Sequence, residues 1–329
     1  MKFCFNMNRD MQRRCFSPET MQRLAELVDL QPEAPERLTP EWLQAQAADC
    51  DGVICGWSSL PLDDALLAAA PRLRLALHSA GSIRSFETPA MWRRGLRVTS
   101  AANVNGVPVA EFALGLILMC FRDVFAQVVR FSEHGRAGWS HPPVLSYYGS
   151  TVGVIGMGNV GKHLLKLLGA FQFKKLVHSF YPFEEQAAAA GAECVGIDEL
   201  MARSDAVVLL APAIPAYHHL IDARRLALLR DGRFFINPGR GALVEEPALV
   251  AELQSGRIAA CLDVTDPEPP VAGSPLYSLP NCILTPHVAG STEAECLRLG
   301  AQIVVELRRY LAGEPFENEI TEELSKTIG

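Results

Sequence analysis

The chain has 329 residues, 49% of them apolar and 20% charged, and its 30 basic against 37 acidic side chains give a net charge of −7. That length corresponds to about two domains and buries its own core without disulfide or metal staples. The composition excludes disordered, collagen-like and coiled-coil architectures. The acidic balance offers no general polyanion-binding surface, so no nucleic-acid partner is expected.

In chain order, the N-terminal MKFCFNMNRDMQRR places charge where a secretion signal needs an apolar stretch. KFCFNM (2–7), GVICG (52–56), LRLALH (73–78) and LRVTS (96–100) read as strands, with helices over 18–30 and 62–70 and a Pro-rich loop over 31–40. This alternation predicts βαβ units and a parallel sheet. From Val107, apolar residues at 110, 113, 114, 117, 118 and 121 recur at helical spacing, with Asn105 and Pro108 placed as cap and first turn. The 15-residue apolar run of 107–121 contains Glu111 and is too short to cross a bilayer, so a core helix is expected and no membrane partner. A polar, irregular stretch is expected over 132–143.

A second alternating series follows, with strands expected at 151–155, 175–180, 206–211, 233–237, 258–264 and 282–285 and helices between most of them. This is a doubly wound α/β pattern. A last helix is expected over 292–311, opened by the capping-box spacing of Thr292 and Glu295 and stopped by Gly313, with no strand after it. The nine cysteines are scattered without zinc spacing, which fits reduced thiols and a cytoplasmic location and implies no metal.

Gly156-Met157-Gly158-Asn159-Val160-Gly161 is a GxGxxG directly after the strand TVGVI and opening a helix. The glycines permit a tight turn and close backbone approach to a pyrophosphate, and the helix N-terminus offers free N–H groups to it. Alone the motif is weak; between a strand and a helix, with another strand within thirty residues, it points to dinucleotide binding. The next strand ends in Ser179-Phe180-Tyr181-Pro182, with no acidic residue for the adenosine ribose and no arginine for a 2′-phosphate. Tyr181 is a candidate to stack on or hydrogen-bond that end. NAD is the expected cofactor, with NADP open.

Ligands of open α/β sheets bind beyond the carboxyl ends of the strands. Pro238-Gly239-Arg240-Gly241 follows RFFIN, Glu268 follows IAACLDV, and His287 follows CILT. Singly, each has a structural reading: Arg240 as a helix cap or a partner of Glu245, Glu268 as a solvated loop charge, His287 as a satisfied polar residue. Jointly, an arginine, a carboxylate and a histidine at three consecutive strand ends suit hydride transfer to a 2-oxo acid. Arginine binds a carboxylate bidentately, histidine exchanges a proton near neutrality, a carboxylate beside it stabilises the imidazolium, and a nicotinamide supplies the hydride.

These residues also carry a resemblance. The segments NVNGVPVAEFALGLIL (103–118), TVGVIGMGNVGKHL (151–164), INPGRGALVEEPAL (236–249), SGRIAACLDVTDPEP (255–269) and LTPHVAGST (284–292) resemble the D-2-hydroxyacid dehydrogenases, in that family's order and spacing. The resemblance implies two doubly wound parallel-sheet α/β domains. A Rossmann cofactor domain (103–292) would be inserted into a flavodoxin-like substrate domain (1–102 plus 293–329), with substrate in a cleft that closes. It places Arg240, Glu268 and His287 at the catalytic positions and Asp263 near the nicotinamide. Asn159 and Val160 fall at the pyrophosphate turn, and Ala211, Pro212, Pro238, Gly239 and Gly290 line the cofactor site. Ala80, Gly81 and Ser82 match the loop that holds the substrate carboxylate, and a homodimer is implied.

The chain departs from the pattern at Tyr181, where a ribose-binding aspartate is usual, at Tyr217, where a small threonine or asparagine is usual, and at Pro238. Arg84, in GSIRSF (81–86), stands near the substrate loop as either a surface charge or a group for a second anion on the substrate. The expected activity is oxidation and reduction between a D-2-hydroxy acid and a 2-oxo acid. A nicotinamide-sensing binding protein on the same fold is the alternative, and Glu268, where formate dehydrogenases carry glutamine, counts against that relative.

Overall fold

The computed structural model describes residues 1–31, 33–139, 144–181 and 183–328. Parts of the loops expected at 31–40 and 132–143, and Pro182, lie outside them. The chain divides into two compact units, Met1–Gly106 with Ser291–Gly329, and Val107–Gly290.

The first unit runs β1 (Lys2–Asn6), α1 (Arg9–Cys15), α2 (Pro18–Leu27), β2 (Asp29–Leu30), α3 (Pro40–Ala47), β3 (Gly52–Cys55), α4 (Asp64–Ala69), β4 (Leu75–His78), α5 (Pro89–Arg93) and β5 (Arg97–Ser100). α6 (Ala102–Phe121) begins in this unit and continues in the second. Local chemistry starts the helices. The side chains of Asn8, Ser17, Thr39, Asp63 and Thr88 each accept a backbone N–H three residues on, and Pro18, Pro40 and Pro89 occupy first turns where no N–H is needed. β3 and β4 are buried along their whole length, as strands covered on both faces must be. β1 to β5 lie in the order β2-β1-β3-β4-β5, all parallel, which is the flavodoxin-like winding.

The helix expected over 18–30 ends at Leu27, because Val28 turns extended and Asp29–Leu30 pairs with β1. The loop expected to Pro40 ends sooner, since Thr39 caps α3. α6 starts at Ala102 rather than near Val107, so Pro108 lies inside it. Asn105 is not its cap, because its Oδ1 accepts the Ser291 N–H at 3.1 Å. At 20 residues α6 is also long enough and apolar enough to cross a membrane by length and composition alone, unlike the 15-residue run of 107–121 within it. One of its faces, including Ala110, Ala113, Ile117 and Phe121, is instead packed in the core of the second unit.

The second unit continues with α7 (Val124–His134), β6 (Thr151–Ile155), α8 (Asn159–Leu168), β7 (Lys174–His178), α9 (Glu184–Ala189), β8 (Glu193–Cys194), α10 (Ile197–Arg203), β9 (Ala206–Leu209), α11 (Ala223–Leu228), β10 (Arg233–Asn237), α12 (Glu246–Gln254), β11 (Ile258–Leu262) and β12 (Cys282–Leu284). The irregular stretch expected from 132 therefore starts as the last turn of α7, and a short 3₁₀ turn follows over Gly135–Gly138. The sheet order is β12-β11-β10-β9-β6-β7-β8, all parallel. Numbered within the unit this is 7-6-5-4-1-2-3, the Rossmann winding, and the order reverses between β6 and β9.

Back in the first unit, the capping box of Thr292 and Glu295 forms, and after a 3₁₀ turn α13 (Cys296–Leu311) packs on α1 and α2. A strand does follow it, contrary to expectation. β13 (Glu319–Ile320) pairs antiparallel with β5 before α14 (Glu322–Ser325). The buried Glu306 carboxylate of α13 brings it there by accepting the Glu317 N–H at 3.1 Å and the Asn318 N–H at 3.0 Å.

Candidate active site

Gly156, Gly158 and Gly161 do three different things. Gly156 has φ +108, and a Cβ there would stand 2.5 Å from the Leu210 carbonyl oxygen, so the turn after β6 is pressed against the end of β9. A Cβ at Gly161 would collide with the Gly156 carbonyl, so α8 packs tightly on the turn. At Gly158 a Cβ would meet nothing within 4 Å, and no side chain caps α8. The first turn of α8, Asn159 and Val160, therefore faces an open cradle with unsatisfied N–H groups and the positive end of the helix dipole. This arrangement fits a pyrophosphate, at the point where the strand order reverses.

Ala211 is buried just beyond β9, followed by Pro212, and Tyr217 sits in a 3₁₀ turn over Pro215–Tyr217. The Tyr217 ring stacks on Phe180 beyond β7, with centroids 4.1 Å apart. Burial and the nearby Tyr181 both raise the Tyr217 pKa, so its hydroxyl stays protonated at neutral pH. Tyr181 itself is 39% exposed, and its N–H donates to Ser179 Oγ at 3.2 Å.

Beyond β10, Asn237 builds the turn that presents Arg240. Its Oδ1 accepts the Gly239 N–H at 3.1 Å and its Nδ2 donates to the Arg240 carbonyl at 3.0 Å. Pro238 is buried beneath, and a Cβ on Gly239 would stand 2.9 Å from the Leu209 carbonyl oxygen. The Arg240 guanidinium donates to Gly239 O at 2.8 Å. Water reaches it, yet enough protein surrounds it that desolvation lowers its pKa while Glu268 pulls the other way. An arginine remains charged under such a shift.

His287 and Glu268 meet. Nδ1 of His287 lies 2.6 Å from Oε1 of Glu268, the two side chains being 45% and 43% exposed. His287 takes φ +54, an uncommon backbone conformation for a non-glycine residue. It is held there by its own N–H, which donates to the Asp263 carbonyl at 2.9 Å. The buried Asp263 carboxylate fixes the rest of the loop. Oδ1 accepts from Thr285 Oγ1 at 2.6 Å and the Val288 N–H at 2.9 Å, and Oδ2 accepts the Ala289 N–H at 2.8 Å, next to Gly290. Beside the pair opens a cavity of about 720 Å³, walled by Glu268, Pro269, Pro270, Tyr277, Ile283 and His287 among others. Neither Arg240 nor the glycine turn lines it.

In the first unit, Ala80, Gly81 and Ser82 follow β4. Ala80 is buried, and a Cβ on Gly81 would lie 3.3 Å from Asn105 Nδ2. Arg84 is tied to the C-terminal segment: its guanidinium donates to Glu87 Oε2 at 2.9 Å, the Ser325 carbonyl at 2.8 Å and the Ile328 carbonyl at 3.1 Å. Of the two readings of Arg84, these contacts favour the structural one. Below the loop, His78 is fully buried against Phe86, neither ring nitrogen finding a hydrogen-bond partner among the described residues, and burial pushes its pKa down to about 4.

The sequence reading missed Asn237, Phe180 and the loop-fixing role of Asp263. Asn237 could have been found as a polar residue ending an apolar strand just before Gly-Arg. The Asp263 contacts are to two backbone amides and the Thr285 hydroxyl more than twenty residues on, and leave no trace in spacing.

The family model described as "D-isomer specific 2-hydroxyacid dehydrogenase, NAD binding domain" matches residues 114–289. The chain is 32% identical over 302 residues to D-3-phosphoglycerate dehydrogenase of Mycobacterium tuberculosis, covering 91% of this chain and 56% of that protein. It is 31% identical over 320 residues to glyoxylate reductase of Aeropyrum pernix, covering 94% of each. The chain thus spans about half the length of the phosphoglycerate dehydrogenases it matches. A solved glyoxylate reductase from Paecilomyes thermophila shares the fold, with a TM-score of 0.81 at 24% identity over 98% of this chain and 99% of that one.

Proposed function

The chain belongs to the D-isomer specific 2-hydroxyacid dehydrogenase family, and on that premise we propose that it reduces a small 2-oxo acid to the D-2-hydroxy acid, and the reverse, with a nicotinamide dinucleotide. The observation that carries this reading is the 2.6 Å contact between His287 and Glu268, held at the ends of β11 and β12 in the same unit as Arg240 and the glycine turn.

The dinucleotide, bound across the Gly156–Gly161 turn, supplies the hydride. Everything else falls to the chain. Arg240 binds the substrate carboxylate through its planar fork and turns the 2-oxo group toward the imidazole. An ionised carboxylate only accepts hydrogen bonds, so Glu268 holds the proton on Nδ1 of His287 and leaves Nε2 to exchange one with the substrate oxygen. In reduction Nε2–H donates to the oxygen as it becomes a hydroxyl, and Glu268 offsets the charge on the imidazolium that precedes transfer. Asp263 acts at one remove by fixing the Thr285–Ala289 loop. Arg84 is left out, since its donors are committed to the C-terminal segment.

The same reading makes the protein a cytoplasmic homodimer. Its nine cysteines are all free thiols, which suits a reducing compartment. Val128, Phe131 and Trp139 are exposed on α7 and the turn after it, an apolar surface that a second copy would cover. Absorbance decay of the reduced cofactor tests the activity, with glyoxylate, hydroxypyruvate, pyruvate, phenylpyruvate and 2-oxoglutarate as substrates. Turnover of any of them, lost on His287→Gln, supports the proposal. Cofactor binding without turnover of any would favour a sensing role instead.

A further inference from the structure

We propose that the adenosine end of the cofactor is held by an aromatic wall of Phe180 and Tyr217 in place of a carboxylate, and that the chain therefore binds NADH and NADPH with comparable affinity. The inference rests on the cofactor reading above and concerns which form of the dinucleotide the site accepts.

Phe180 follows β7 and Tyr217 follows β9, and between those strands lies β6, whose end carries the glycine turn. The two rings, 4.1 Å apart and inclined by 32°, thus meet across the end of β6 at the place where a dinucleotide would run. The stack is braced: His178 stands edge-on to Phe180 at 4.9 Å, and its own Nδ1 is 3.1 Å from the Val195 carbonyl oxygen. Aromatic contact with a base is indifferent to what the ribose carries, because the π-face of the base is the same in both cofactors.

The hydrogen-bonding groups nearby are equally indifferent. A carboxylate at this strand end would accept from both ribose hydroxyls and repel a 2′-phosphate, and an arginine would do the opposite. Among the described residues of 179–183 there is neither. Ser179 Oγ accepts the Tyr181 N–H and keeps its own O–H to donate, and the Tyr217 hydroxyl is a neutral donor. Such groups serve a hydroxyl oxygen or a phosphate oxygen alike. The nearest acids, Glu184 and Glu185, open α9, and the charge of Glu184 is felt at Cys194 on β8. One cation stands by the turn: Nζ of Lys162 lies 5.0 Å from the centroid of the Phe183 ring, where it would lower the cost of placing a phosphate.

Calorimetric titration of the wild-type protein with NADH and with NADPH tests this without reference to turnover. The expected dissociation constants lie within tenfold of each other; a ratio beyond tenfold in either direction overturns the inference while leaving the cofactor reading intact. Failure of both to bind overturns the cofactor reading itself. Tyr181→Asp, which puts a carboxylate where the family usually carries one, is expected to shift the ratio at least tenfold toward NADH, and an unmoved ratio contradicts the placement of the adenosine ribose. Tyr217→Thr and Phe180→Leu are each expected to weaken both cofactors at least fivefold with the ratio unchanged. Unaltered affinity in both variants, with thermal melts like the wild type, contradicts the wall.

Discussion

Nδ1 of His287 lies 2.6 Å from Oε1 of Glu268, joining the loops that follow β12 and β11. At 45% and 43% exposure this contact is screened by water and contributes at most about 1 kcal/mol to folding. The positive φ of His287 costs about 1 kcal/mol or more. The pair and its strained backbone therefore bring no net stability, and a chemical purpose explains them better.

Glu268→Gln keeps the shape and removes the charge. The amide can present a donor where the imidazole needs an acceptor, so Nδ1 loses the partner that holds its proton and kcat for 2-oxo acid reduction is expected to fall by at least about tenfold with KM less affected. Steady-state kinetics on a folded variant check this, and an unchanged kcat would remove Glu268 from the proton chemistry.

Arg240→Lys replaces a planar fork with a point charge on the turn that Asn237 builds. Loss of one charged hydrogen bond corresponds to about 1.5–3 kcal/mol, so KM for the 2-oxo acid is expected to rise between about tenfold and about a hundredfold. Cofactor affinity is expected to stay unchanged in a parallel titration.

Asp263→Asn leaves the side chain in place but turns one acceptor into a donor facing amides that need acceptors. An unsatisfied buried group costs about 1–3 kcal/mol, which urea unfolding would register. Because the same carboxylate holds Val288 and Ala289, kcat is expected to fall as well, with KM less affected.

Gly158→Val and Gly161→Ala separate binding from folding. The first adds atoms to open space and is expected to leave the melting temperature nearly unchanged while weakening the cofactor at least tenfold. The second drives a methyl group into the Gly156 carbonyl and is expected to destabilise the protein itself. Melting curves with and without cofactor distinguish the two.

His78 makes the protein acid-sensitive. Its folded pKa of about 4 lies below the ordinary value of 6.5, so below pH 6.5 the unfolded chain binds the proton that the folded one refuses. Stability falls as pH drops from 6.5 toward 4, by up to about 3 kcal/mol at the lower end. His78→Leu is expected to lose less stability than the wild type between pH 7.5 and pH 4.5 in urea titrations. Equal losses would show that His78 is not the group responsible.

Buried parallel strands were the most legible part of the fold, because both faces are covered and the residues run apolar without interruption: β6 and β10 begin and end where expected. Elements whose making depends on distant partners were not. The start of α6 hid behind Asn105, whose side chain binds Ser291 instead of capping, and β13 is two residues long and placed by Glu306. The site followed the same division. Glu268 and His287 could be read because strand ends collect ligands, whereas the contacts of Asn237 and Asp263 are mostly to backbone groups, which any residue type carries. The Phe180–Tyr217 stack joins two loops that only the strand order brings together.

The most direct test of the account is reduction of a 2-oxo acid by His287→Gln beside the wild type, with NADH binding measured on the same preparations. The account predicts a kcat lower by about 10²–10⁴-fold with NADH affinity unchanged, since the imidazole supplies the proton and does not hold the dinucleotide. A glutamine variant that turns over within a few-fold of the wild type would contradict it.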